Sequence, residues 1–232
     1  MIPDSLFKQK LSEGVFLKAK LIKLCLDLIK EFPNNRSDTA ENTQQSVAKS
    51  FLTANVQLLD QMVEAVLKGH LGLALIGMKT MLESNVNANY IFDHPQHKKD
   101  FGWIDSLCKD VFERTNNLKA YKNQLGNKSV KERMIAIGAK DLHDQNYASL
   151  NDYCHLVLRL SIVNISSDKE DLSIDIISQA LCSYMGVIDS ICECFSLKGH
   201  EDLKKEVVSF SDKYERHVVG KSSQSSPETA GQ

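Results

Sequence analysis

The chain has 232 residues, 42 % of them hydrophobic and 25 % charged, with a formal net charge of -2. That is enough for one sizeable core, and the only clustered basics, Lys98-Lys99 and Lys204-Lys205, argue against a strong electrostatic grip on nucleic acid. No uninterrupted apolar run approaches the roughly 20 residues that span a bilayer, and the opening MIPDSLFKQKLSEG has no apolar leader core, so a cytoplasmic protein without membrane contact is expected.

From Asp4 to Phe32, apolar residues Phe7, Leu11, Leu17, Leu21, Leu24, Leu28 and Phe32 recur at three- and four-residue steps, predicting a long amphipathic helix that Pro33-Asn34-Asn35 stops. Asp38 with Glu41 has the form of a capping box. The helix it opens carries Val47, Phe51, Ala54, Leu58, Met62 and Ala65 on one stripe and ends near Gly69, so the first two helices form an antiparallel hairpin. The next stretch, His70 to Asp93, is apolar on every side over its first two turns (Leu71, Leu73, Ala74, Leu75, Ile76, Met78), which predicts a helix surrounded by neighbours at the centre of the fold.

Asp93-His94-Pro95 breaks that helix, and a fourth follows with Phe101, Ile104, Cys108, Val111, Phe112 and Leu118 on its stripe. Between Ala120 and Asn146 only Val130 to Ile137 carries apolar periodicity, a short helix before Gly138. Ser149 or Asn151 caps a helix running toward Val163. Ser166-Ser167-Asp168 opens a long helix, with Ile177, Leu181, Tyr184, Ile188, Ile191 and Phe195 inward, that closes the core and ends at Gly199. A last helix uses Leu203, Val207, Phe210 and Tyr214. The predicted fold is all-α, a single bundle of about six to eight helices over residues 1–217, with a disordered tail over residues 218–232 that is rich in Ser, Gly and Gln. The six cysteines form no CxxC pair and lie in helical patterns, which predicts reduced, packed thiols.

Two constellations carry chemistry. Lys79 and Glu83 are four apart and share a helix face with Val86 and Tyr90. A charged pair in an apolar surround must meet each other and further polar groups, because an unpaired buried charge costs several kcal/mol. The second is His155, with Asp152 three residues before it and Arg159 four after. A carboxylate able to orient an imidazole and a guanidinium able to hold an anion are the parts of an acid-base or phosphate-handling site. A solvated polar face, or a satisfied core histidine, fits the same spacing. His94-Pro95-Gln96-His97 offers ligand-type residues, but the proline breaks the helix that would aim both rings together, and neither metal nor cofactor is expected.

Three segments together resemble the helical, mainly bacterial domain-of-unknown-function family 5677: Lys79-Thr80-Met81-Leu82-Glu83 followed by Asn89-Tyr90-Ile91-Phe92, then Ser129-Val130-Lys131-Glu132-Arg133-Met134 with Gly138, then Tyr147 to His155. Lys79 stands where that group usually has arginine, and Asn151 where it usually has serine. The family is in turn similar to the HEPN class of helical domains, many of them ribonucleases or inactive relatives in defence and toxin-antitoxin systems. Their hallmark Arg, four to six residues, then His is missing here. The resemblance implies an HEPN-like bundle in which Lys79, Glu83 and His155 share one network, with Asp152, Arg159 and Tyr90 as binding residues. It implies a helical interaction or regulatory module of a bacterial defence or stress system, with a protein partner, a second copy or RNA bound. The alternative is a metal-independent ribonuclease with His155 as general acid-base and Lys79 or Arg159 steadying the phosphate.

Overall fold

Leu17, Leu21, Cys25, Leu28 and Phe32 stand on one side of the first helix, and all five are buried in the computed structural model. The structure describes residues 4–32, 40–93, 129–142, 144, 147 and 169–222. Every regular element among them is helical: α1 (Asp4–Glu31), α2 (Ala40–Leu67), α3 (Leu71–Ala88) continuing as a π-helical turn (Asn89–Asp93), α4 (Val130–Ala136), the single turn α5 (Lys140–Leu142), α6 (Lys169–Phe195) and α7 (Glu201–Ser222). The protein is an all-α bundle. The helices expected around 101–118 and 151–163 and the capping box at Asp38 lie outside the described residues.

α1 and α2 run antiparallel, as expected. Lys18 in the middle of α1 meets Asp60 at 2.6 Å, and the Cys25 thiol two turns on reaches the Leu52 carbonyl at 3.5 Å. The buried stripe of α2 differs from the expected one. It comprises Val47, Ala48, Leu52, Asn55, Leu59, Met62, Val63 and Val66, while Ala54 is exposed and Phe51, Leu58 and Ala65 lie at its edge. A polar residue inside the stripe disguises it. Asn55 is 2 % exposed, and its amide donates to the Ser84 hydroxyl of α3 and to the Phe51 carbonyl, both at 2.7 Å, so the buried N–H groups are satisfied.

α6, expected only to close the core, is its hub. It packs against α1, α2, α3, the π turn and α7. Its inner side buries Ile174, Ile176, Ile177, Ala180, Leu181, Tyr184, Met185, Val187, Ile188, Ile191 and Cys192. Ser173, Ser178, Ser183 and Ser190 are buried with them, and these four small polar residues lower the apparent hydrophobicity of the most enclosed helix. Even so, α6 is long and apolar enough to cross a membrane by length and composition, with 72 % of that window buried inside the bundle. α3 is less enclosed than its first turns suggest, since Leu73 is 62 % exposed. Tyr184 of α6 donates to the Leu52 carbonyl at 3.2 Å, the same oxygen that Cys25 approaches, so α1, α2 and α6 converge on one backbone group.

Three helices end with the same device. After α2, Gly69 N–H bonds Val66 O and His70 N–H bonds Ala65 O, with Gly69 at φ +74. After α4, Gly138 N–H bonds Ile135 O and Ala139 N–H bonds Met134 O, with Gly138 at φ +76. These are Schellman closures in which glycine supplies the left-handed residue at no steric cost. α6 closes the same way through Ser196, φ 55, so it stops before the expected Gly199. α7 carries on through Gly220 to Ser222, past the boundary expected at residue 217, because an interior glycine costs only about 1 kcal/mol in a helix already propagating.

Candidate functional site

Leu82 and Val86 face away from the main core. With Met134 and Tyr147 they form a separate apolar cluster, flanked by Val130, Ile137 and Ala139. α4 stands on this side of α3 because Ser129 starts it firmly. The Ser129 hydroxyl accepts from Glu132 N–H at 3.2 Å, and the Glu132 carboxylate accepts from Ser129 N–H at 2.5 Å, a complete capping box. The expected short helix before Gly138 is therefore present, and it aims Met134 into the cluster, where it is fully buried.

The polar residues gather at the edge of this cluster. Lys79 Nζ lies 3.5 Å from Glu83 Oε1, and the Tyr147 hydroxyl donates to the same oxygen at 2.6 Å. The Arg133 guanidinium is partly buried beside them. Burial pulls its pKa below the ordinary value, and Glu83, Tyr90, Tyr147 and Glu132 around it pull it back up. Arginine keeps its charge through such opposition. Glu83 is thus the acceptor for a phenol and the counter-ion of two cations, one on its own helix and one on α4. Tyr90, 4 % exposed in the π turn, forms the inner wall on the Arg133 side.

Lys79 meets Glu83 on one face of α3, and Tyr90 acts on Arg133. The Lys79 side chain is 23 % exposed and that of Glu83 30 %, so the pair sits at a half-buried rim. Asp152, His155 and Arg159 lie outside the described residues, so the expected meeting of His155 with Glu83 does too. Arg133 and Tyr147 were not singled out as site residues. Both stand in the segments that carry the family resemblance, and the Ser129-x-x-Glu132 pattern already marks where a helix bearing Arg133 would begin.

Among the described residues, no three His, Cys, Asp or Glu side chains are grouped to hold a metal ion. Cys25 and Cys192 are buried free thiols; burial pushes them up to about 11 and about 12, which disfavours the reactive thiolate. An open groove of about 260 Å³ lies elsewhere, between α1 and the start of α7, lined by Lys20, Lys23, Leu24, Asp27, Leu203 and Glu206. The Lys20–Glu206 pair at 2.6 Å spans its two walls. Comparison with protein-family profiles, with curated proteins and with solved structures finds no match.

Proposed function

We propose that this protein is a non-catalytic helical interaction module, in which the Lys79, Glu83, Arg133 and Tyr147 network fastens the segment from Ser129 to Tyr147 onto α3. One observation carries the reading: the Glu83 carboxylate is already engaged by Tyr147 at 2.6 Å and by Lys79 at 3.5 Å. A carboxylate oxygen shared by a phenol and a lysine ammonium ties the segment that carries the phenol to its own helix, which is what a structural acceptor does. Apolar side chains left outside the core supply contact surface, with Leu67 48 % and Leu73 62 % exposed on either side of the α2–α3 turn. A second copy or a protein partner would use that corner. The bacterial defence or stress setting, an RNA partner and a cytoplasmic location belong to the same proposal.

The test pairs chemistry with association. Wild-type protein incubated with single-stranded RNA and no added metal is expected to leave the RNA intact. Light scattering is expected to show a concentration-dependent mass that Leu73→Glu shifts toward the monomer. RNA cleavage that His155→Ala abolishes at unchanged melting temperature would overturn the reading in favour of a ribonuclease.

A further inference from the structure

α1 carries apolar side chains on the side it turns away from the core. Phe16 is 60 % exposed and Leu26 49 %, with the exposed Ala19 and the half-buried Ile22 between them. Residues three and four apart share a helix face, so these four form one apolar strip, with the exposed Lys23 set in it. Lys20 reaches Glu206 of α7 on one side of the strip, and Lys18 reaches Asp60 of α2 on the other, both at 2.6 Å. The strip is therefore the outer ridge of the helix between its two neighbours. Apolar residues scattered singly on a surface need no explanation, whereas a contiguous row marks a contact surface.

The ridge is complementary to itself. A two-fold axis crossing α1 between Leu17 and Lys18 sets two copies of the helix antiparallel and lays each Phe16 against the partner's Ala19, a large side chain over a small one. On one flank Ile22 then meets the partner's Val15, and both are half-buried apolar residues. On the other flank Glu13 meets the partner's Lys20, twice by symmetry. Lys20 already stands over the Phe16 ring at 4.9 Å, at the edge of the strip where the partner's carboxylate arrives. Charge selects this register. Sliding the helices by one heptad in one direction sets Lys20 against Lys20 and Glu13 against Asp27, and in the other direction Glu13 against Glu13, and like charges across such a seam are repelled. We propose that this face of α1 pairs antiparallel with the same face of a second copy. The pairing uses none of the residues of the α2–α3 corner and stands independently of that reading.

Sedimentation velocity over a concentration series tests it, on the full chain carrying Leu73→Glu so that the corner is silenced. A concentration-dependent dimer is expected to remain. Adding Ala19→Arg, at an exposed helix position that arginine suits, fills the seat of the partner's Phe16 and should weaken that dimer about tenfold or more at unchanged helical circular dichroism. Adding Glu13→Lys instead opposes like charges across the seam and should weaken it about threefold to tenfold. Ala54→Arg brings the same charge to the exposed side of α2 and should leave the dimer unchanged. Leu73→Glu protein that stays monomeric up to about 1 mM would overturn the α1 pairing and leave the corner reading standing. A dimer indifferent to Ala19→Arg or to Glu13→Lys, or one that Ala54→Arg weakens as much as Ala19→Arg does, would overturn the pairing as well.

Discussion

The Tyr147 hydroxyl donates to Glu83 Oε1 at 2.6 Å, joining two positions 64 residues apart. A phenol on a carboxylate is a charge-assisted hydrogen bond, roughly twice as strong as a neutral one. Lys79 reaches the same oxygen at 3.5 Å from one turn away on the same helix, and such pairs contribute only about 0.3–0.5 kcal/mol. The three side chains should therefore count unequally. Glu83→Ala strips Arg133 of a counter-ion and Tyr147 of its acceptor, and should cost most, about 2–3 kcal/mol. Tyr147→Phe should cost about 1–2 kcal/mol and Lys79→Ala under about 0.5 kcal/mol. Urea unfolding followed by circular dichroism measures all three. Equal losses would mean that the network is not centred on Glu83.

Ser196 closes α6 at φ 55, a left-handed conformation that costs a residue with a Cβ about 1 kcal/mol or more. The Leu197 N–H to Cys192 O bond at 2.9 Å holds it there. Glycine adopts this conformation without strain, although it gives up more backbone freedom on folding. Ser196→Gly should raise stability by roughly 0.5–1 kcal/mol, measured as a higher urea midpoint at unchanged slope. A lower midpoint would show that the serine side chain contributes at this corner in its own right.

Ser196 also shows where pattern reading stops. Periodicity finds α1 through Leu17, Leu21 and Leu28 because leucines at helical spacing report burial directly. Gly69 and Gly138 mark helix ends because glycine at that position has one common reason to be there. A serine in the same role carries no such signal, so the end of α6 is misread by three residues. Asn55 and the buried serines of α6 mislead for a related reason: small polar residues buried within the core look like surface in a linear pattern. The Glu83 site is half legible. Lys79 and Glu83 are neighbours by helix geometry, whereas Tyr147 and Arg133 arrive through tertiary packing, which spacing along one helix cannot encode.

Asp189 of α6 holds the α6–α7 corner through two donors. His200 Nε2 lies 3.0 Å from its Oδ1, and Lys204 Nζ lies 2.5 Å from its Oδ2. A carboxylate only accepts, so in the neutral ring Nε2 carries the proton. The two donors differ in their access to water: the His200 side chain is 7 % exposed and that of Lys204 45 %. Removing Asp189 costs the half-exposed Lys204 one partner at small cost but leaves a buried imidazole N–H without its acceptor. Asp189→Ala should therefore cost about 2–3 kcal/mol, against under about 1 kcal/mol for Lys204→Ala. In a double-mutant cycle, Asp189→Ala and His200→Ala should be strongly coupled, because once the ring is gone no buried donor is stranded. Asp189 and Lys204 should couple weakly, and the more so as salt is raised. If Asp189→Ala costs no more than Lys204→Ala, the polar bridge is dispensable. The corner would then be held by the apolar contacts of Leu203, Val207 and Phe210 with the main core.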